Sequence, residues 1–344
     1  MEDRGSLWPQ SDCLSVEVTT HCNSSCAHCF VRARGRQGSS LTPNLVQTIV
    51  REGYEAGYRH LHITGGEPLL WDGLVGIFDY AFALGYRAAF LNTNGTLLTG
   101  EASRKLAAYS GLAISVSLQG PRRRHDFIRG KGSYDRALKG INHAMNAGLP
   151  IHIFTTIGRS LIPDLPRFAE KLFIALPGIK QLTLIQLIRV PTDRFDLSRE
   201  VLRPDDFLRV VRMISLLNIY GLKVDLLNNP LAAVASRVLR MPWVPPSPSL
   251  YRAGSLMITA DRRITLAHST TDCFGIYEPG ILPRIFRSNK YRRAVAQDRM
   301  ICKNCVHSRL CRREGMLRPS EWYRDMFPQV PYCKRVLAKA SSYG

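Results

Sequence analysis

Three cysteines fall on one short stretch, Cys22-Asn23-Ser24-Ser25-Cys26-Ala27-His28-Cys29, with the spacing Cys-x3-Cys-x2-Cys. Three thiolates on one loop can hold three irons of a [4Fe–4S] cube and leave the fourth iron open to an outside ligand. The competing reading is a closed tetrahedral zinc site, in which His28 or His21 supplies the fourth ligand. A second group lies near the other end of the chain. Cys302, Cys305 and Cys311 are spaced Cys-x2-Cys-x5-Cys, and Cys333 follows at a distance. Four thiolates saturate either a cube or a zinc ion, and spacing alone does not separate the two. The chain has 9 cysteines in all. Short-spaced thiols in a reducing compartment read as metal ligands rather than disulfides. Cys13, ahead of the first strand, is expected to be structural. Cys273 is either a buried apolar thiol or one that faces a substrate and returns a hydrogen atom to it.

The elements that position the first group alternate in kind. Segments 14–19, 60–63, 88–91, 113–118, 151–156 and 181–188 read as strands. Amphipathic stretches near 72–84, 99–109, 133–147, 163–175 and 204–219 read as helices, and another opens at Thr42-Pro43, a capping residue before proline. Six strands, each followed by a helix, predict an α/β fold with a parallel sheet and right-handed crossovers. Because the count stops at six, a partial (β/α)6 barrel is expected rather than a closed eightfold one. Four prolines between Met241 and Ser249 mark a linker, since proline blocks both helix and central strand. Two domains are therefore expected, a barrel over 12–240 and a small cysteine-rich C-terminal domain over 251–344. The second should begin with a hairpin over 256–266 that turns at Asp261-Arg262.

The cysteine loop resembles the signature of the radical S-adenosylmethionine (radical SAM) superfamily, and Thr64-Gly65-Gly66-Glu67-Pro68 after the second strand resembles that family's methionine-binding turn. The resemblance implies a [4Fe–4S] cluster on Cys22, Cys26 and Cys29 whose open iron binds S-adenosylmethionine (SAM). It implies that Gly65, Gly66 and Glu67 meet the SAM amino group and that Phe30 borders the adenine. Asn92-Thr93-Asn94-Gly95 ends the third strand and Ser115-Val116-Ser117-Leu118 forms the fourth. On the same resemblance Asn94 and Ser117 belong to the SAM site, Ser117 at the ribose, and Arg129 pairs with the SAM carboxylate. The segment 119–130 is similar to that of peptide-modifying members, with Gln119 where they carry aspartate. The distal cysteines resemble the SPASM extension, which implies one auxiliary [4Fe–4S] cluster on Cys302, Cys305, Cys311 and Cys333. The ligands of a second, inner cluster have no counterpart here. In sulfatase-maturing relatives an aspartate base follows the cysteine that matches Cys273, whereas this chain has Phe274.

Composition bounds the partners. The 344 residues carry 47 Lys and Arg against 27 Asp and Glu, a formal charge of +20, which excludes an acidic disordered chain. From Tyr251 onward there are 18 basic and 7 acidic side chains. A basic surface suits an acidic flavodoxin or ferredoxin as electron donor. No aromatic RNA-stacking motif accompanies the charge, so nucleic acid is not expected as a partner, nor is a membrane. The N-terminus has neither the basic nor the apolar region of a secretory signal, and a cytoplasmic location is expected. The expected activity is reductive cleavage of SAM to a 5′-deoxyadenosyl radical and hydrogen abstraction from a ribosomal peptide or protein. Only about a dozen residues precede the first strand, too few for an added peptide-recognition domain. The alternatives are a small anionic metabolite (haem precursor, nucleotide or aminosugar) as substrate, or a zinc-binding nucleic-acid module that is no enzyme.

Overall fold

The computed structural model describes residues 13–29, 38–187, 197–227, 229–241, 243–245, 254–268, 272–295, 305–307 and 332–343. Phe30, Cys302 and Cys311 lie outside these residues. The chain divides into two compact units. The first comprises Met1–Leu118, Arg129–His152 and Ala253–Ala296, and the second comprises Gln119–Ile128, Ile153–Arg252 and Gln297–Gly344.

Strand and helix alternate through the first unit. β1 (Cys13–Glu17) precedes α1 (Pro43–Glu55), β2 (His60–Thr64) precedes α2 (Leu74–Leu84), β3 (Ala88–Thr93) precedes α3 (Gly100–Ala107), and β4 (Leu112–Ser117) follows. Cys13 is the first residue of β1, buried within it rather than ahead of it. The β1–β2, β2–β3 and β3–β4 ladders are all parallel, as helical crossovers require. Local chemistry sets the helix ends. Thr42 Oγ1 accepts from the Leu45 N–H at 3.3 Å with Pro43 at the first helical position, and Thr99 Oγ1 accepts from the Ala102 N–H at 3.1 Å. Gly85 closes α2 at φ 102°, a conformation that costs glycine least.

α4 (Arg122–Arg129), α5 (Ser133–Asn146) and β5 (Ile151–Ile157) continue the chain. In the second unit α6 (Leu165–Ala175), β6 (Gln181–Gln186) and α7 (Pro204–Ile219) lead to β7 (Val224–Leu226) and α8 (Pro230–Val238). The β6–β7 ladder is parallel. The α/β reading holds, and β7–α8 adds a repeat to the six expected. The hairpin is also present, as β8 (Leu256–Ile258) and β9 (Arg263–Thr265), with Arg262 at φ 64° in its turn. β8 runs parallel to β1, and β10 (Gly275–Ile276) adds to β9, so the first unit orders its strands β10-β9-β8-β1-β2-β3-β4. Among the described residues β10 and β7 each have a single strand partner, as the end strands of a sheet that is not closed do. α9 (Leu282–Arg287) and α10 (Asn289–Val295) follow β10, and α11 (Tyr332–Ser342) is the last helix described.

Candidate functional site

The cysteine loop leaves the C-terminal end of β1, where (β/α) folds place their chemistry. The turn after β2 braces it. Gly66 N–H donates to Thr19 O at 2.7 Å and Glu67 N–H to His21 O at 2.8 Å. Neither glycine has room for a side chain: a Cβ on Gly65 would come within 2.5 Å of Thr19 O, and one on Gly66 within 2.3 Å of His21 O. The close approach that demands these glycines is therefore to the base of the cysteine loop itself.

Glu67 is fully buried and held at three points. Thr93 Oγ1 donates to Oε1 at 2.6 Å, the Leu69 N–H to Oε1 at 3.2 Å, and the Asn94 N–H to Oε2 at 2.8 Å. Burial raises its pKa, opposed by these donors and by the charge of Arg129. Oε2 keeps capacity for one further donor, such as an ammonium. Asn94 Nδ2 donates to Asn23 Oδ1 at 2.7 Å and lies 4.0 Å from Cys22 Sγ, while Asn94 Oδ1 accepts from Thr96 N–H and Oγ1 at 2.9 and 2.6 Å. Asn23 Nδ2 in turn donates to Thr96 Oγ1 at 2.9 Å. Asn23, Thr93 and Thr96 were not among the sequence-based candidates. Their only signal was nearness in sequence, Asn23 next to Cys22 and the two threonines within two residues of Asn94.

The three thiols are partly buried, and Cys22 and Cys26 feel the charge of their neighbours. Burial pushes Cys22 up to about 11, with Glu67 and the other two thiols adding to the rise and the Ser24 N–H opposing it. Burial likewise raises Cys26, against the pull of Arg129. Burial first, then the charge of neighbouring thiols, opposes ionisation of Cys22 and Cys26, and a cationic metal core would offset both. Arg129 Nε is buried without a hydrogen-bond partner. An unsatisfied guanidinium nitrogen beside a carboxylate and thiols fits an anionic group of a bound molecule. The residues present therefore fit an iron–sulfur cluster with SAM. Ser117 ends β4, partly exposed. Among the described residues no three His, Cys, Asp or Glu side chains converge as a single-ion site requires.

Cys273 stands just before β10, its thiol 3.6 Å from Gly275 O. In the second unit Cys305 and Cys333 are partly buried, Cys333 in the first turn of α11. Tyr332 beside it accepts from Gln186 Nε2 at 3.4 Å, and Gln186 Oε1 accepts from Asn229 Nδ2 at 2.6 Å, which ties α11 to β6.

A parallel sheet carrying a three-thiol loop at the end of β1 and a Gly-Gly-Glu brace after β2 defines an α/β protein with a candidate cofactor site. Residues 16–171 match the Radical SAM superfamily model. Mycofactocin maturase MftC of Mycolicibacterium smegmatis is 32% identical over 159 residues, which are 46% of this chain and 40% of that protein. AdoMet-dependent heme synthase of Methanosarcina barkeri is 34% identical over 205 residues, 58% of this chain and 56% of that protein. The chain thus spans about half the length of the curated relatives it matches. Among solved structures, native anSMEcpe with bound AdoMet superposes with TM-score 0.71 at 16% identity, covering 96% of each chain. SuiB of Streptococcus suis bound to S-adenosylmethionine gives 0.65 at 15% identity, over 89% of this chain and 72% of that one. At such identities the likeness is one of fold.

Proposed function

We propose that the protein is a radical SAM enzyme that modifies a peptide or protein. The observation that carries this reading is the bracing of the cysteine loop by Gly66, Glu67 and Asn94, which sets three thiols against a buried carboxylate and an unpartnered arginine nitrogen. Cys22, Cys26 and Cys29 would hold the cluster, and Glu67 Oε2 would accept from the SAM ammonium. Arg129 would take the SAM carboxylate, Ser117 the ribose, and Phe30 the adenine edge. When bound, the cluster and SAM supply a 5′-deoxyadenosyl radical able to abstract hydrogen from an unactivated carbon. The chain's own part is to position the target and exclude water.

The C-terminal thiols Cys302, Cys305, Cys311 and Cys333 would hold a single auxiliary [4Fe–4S] cluster, in a SPASM-type extension over 251–344 that follows a barrel over 12–240. Cys273 would stand at the substrate as a hydrogen donor. The exposed Arg284, Arg287, Lys290, Arg292 and Arg293 of α9 and α10 support docking of an acidic flavodoxin or ferredoxin. Among the described residues no helix is long and apolar enough to cross a membrane.

A second reading has its own support, because the relatives include haem synthases as well as a peptide maturase. In it the substrate is a small anionic metabolite. Anaerobic reconstitution followed by dithionite tests the shared chemistry. About eight irons per chain and 5′-deoxyadenosine are expected on the four-iron count of each cube. Failure to cleave SAM with the cluster present overturns both readings.

A further inference from the structure

Parallel strands covered on both faces read as continuous apolar runs. β1 and β2 alternate instead, as does β4 from Ile114 onward. Leu14, Val16, Leu61, Ile63, Leu91, Ile114 and Val116 are wholly buried. Leu14 lies under α1, so close that a Cβ on Gly53 would come within 2.5 Å of it. The opposite face carries Ser15, Glu17, His62, Asn92 and Ser115 together with the buried Phe90, Ala113 and Met257, with Ser15 in register with His62 and Asn92 with Ser115. Ser15 and Asn92 stay partly exposed although their strands are interior to the sheet, so the apolar packing on this face stops short of them.

These side chains bond to one another, and the bonds determine what the face can still do. Ser15 Oγ and His62 Nδ1 are 3.1 Å apart, His62 also bonds Asn92, and the Ser115 hydroxyl donates to Asn92 Oδ1. Glu17 Oε2 is 2.5 Å from His268 Nε2, and Oε1 accepts from the Ala260 N–H at 3.0 Å. Burial, with the charge of His268 behind it, lowers the His62 pKa to about 4, so that ring is neutral near pH 7. The donors of Ser115, Ala260 and His268 Nε2 are thus spent inside the cluster, while the Asn92 amide keeps N–H capacity beside these acceptors. A second lone pair on Glu17 Oε1 and hydroxyl lone pairs on Ser15 and Ser115 remain. The wall is rich in acceptors and includes a carboxylate. Glu17 ends β1, five residues before Cys22, at the strand end where this fold class places substrates.

We propose that this inner wall binds a hydrogen-bond-donating group, an amine, guanidinium or amide such as a peptide carries, with Glu17 as its principal acceptor, and that it disfavours ligands rich in carboxylate or phosphate. The proposal rests on the radical SAM reading and chooses the peptide over the anionic metabolite within it. A ligand of the wrong class would bring its carboxylate beside Glu17, where the His268 charge that could offset it is already engaged by Glu17 Oε2.

The test uses the reconstituted holoprotein with SAM and two capped pentapeptides, Gly-Lys-Gly-Asn-Gly and Gly-Glu-Gly-Asp-Gly, titrated by calorimetry at low salt. The net charge of +20 would by itself favour the acidic peptide. Preference for the basic one, on the order of tenfold, is expected from one charge-assisted bond, and Glu17→Gln should remove most of it. Equal or tighter binding of the acidic peptide overturns the proposal, as does an unchanged preference in Glu17→Gln. If circular dichroism shows that variant unfolded, Ser15→Ala replaces it. A severalfold loss of basic-peptide affinity is then expected, and no loss counts against the wall. Dithionite-driven SAM cleavage without peptide is measured in parallel. Cleavage that persists without the preference sinks the wall alone, and absent cleavage sinks the reading beneath it.

Discussion

The hydroxyl of Thr93 and the buried carboxylate of Glu67 form one hydrogen-bonded unit at 2.6 Å, joining the end of β3 to the turn after β2. Thr93 Oγ1 also accepts from the Gly95 N–H at 3.0 Å, so the bond fixes the backbone that carries Asn94. Thr93→Val keeps the shape and removes both roles. A loss of about 1–3 kcal/mol is expected from urea unfolding, because a buried acceptor is left short of a donor. Equilibrium dialysis should show weaker SAM binding, and Thr93→Ser should restore both. Wild-type stability in Thr93→Val would show that the buried carboxylate does not depend on this donor.

Gly66 offers a sharper geometric test. A Cβ there meets backbone, His21 O at 2.3 Å, rather than the yielding tip of a side chain. Gly66→Ala must therefore push the turn and the cysteine loop apart. Iron on the first cluster and SAM cleavage are expected to fall at least tenfold, while thermal unfolding shifts far less, since the turn belongs to no apolar core. Gly76→Ala is the control, because a Cβ at that position meets nothing within 4 Å. Full iron loading in Gly66→Ala would mean that the brace is dispensable.

The contrast between these glycines shows which parts of the site a sequence exposes. Cys-x3-Cys-x2-Cys and Gly-Gly-Glu-Pro were legible because each is a local string, as were the strands with β-branched runs. β7 escaped because Val224–Leu226 is 3 residues long with Asp225 at its centre, too short for any period to register. The pairing of β8 with β1 joins Leu256 to Leu14, a long-range register with no local signature. Asn23 and Thr96 act only because Asn94 folds between them. The polar alternation of β1 and β2 was on the page as Ser15, Glu17, His60 and His62. Its meaning depended on which face α1 covers, and that is a tertiary fact.

The distal thiols can be separated from the first cluster by subtraction. Cys302→Ala with Cys305→Ala should reduce iron from about eight to about four per chain if those sulfurs carry a whole cube. SAM cleavage should persist in part, because Cys22, Cys26 and Cys29 lie in the other unit. Unchanged iron with zinc lost from the protein would assign a zinc site. Cys273→Ala, compared for product stereochemistry in deuterium oxide, reads its role as hydrogen donor. Turnover and stereochemistry equal to wild type would remove that role.

Acid stability should carry the mark of His62 in the first unit and the opposite mark of Asp225 in the second. Burial first, then the charge of His268, lowers His62 from 6.5 to about 4. Between these values the unfolded chain binds a proton that the folded chain refuses, so stability falls as pH drops from about 6.5 to about 4, by up to ~3 kcal/mol. Asp225 runs the other way. Burial raises it from 3.8 to about 7, so its folded form keeps a proton the unfolded chain has lost, and stability falls as pH rises through that window. Hydrogen exchange at β2 and β7 reads the two units separately. Amides of β2 should lose protection on acidification, and His62→Gln should flatten that slope. Amides of β7 should lose protection toward pH 7, and Asp225→Asn should remove the loss. Parallel slopes at β2 and β7 would contradict the burial of at least one of the two groups.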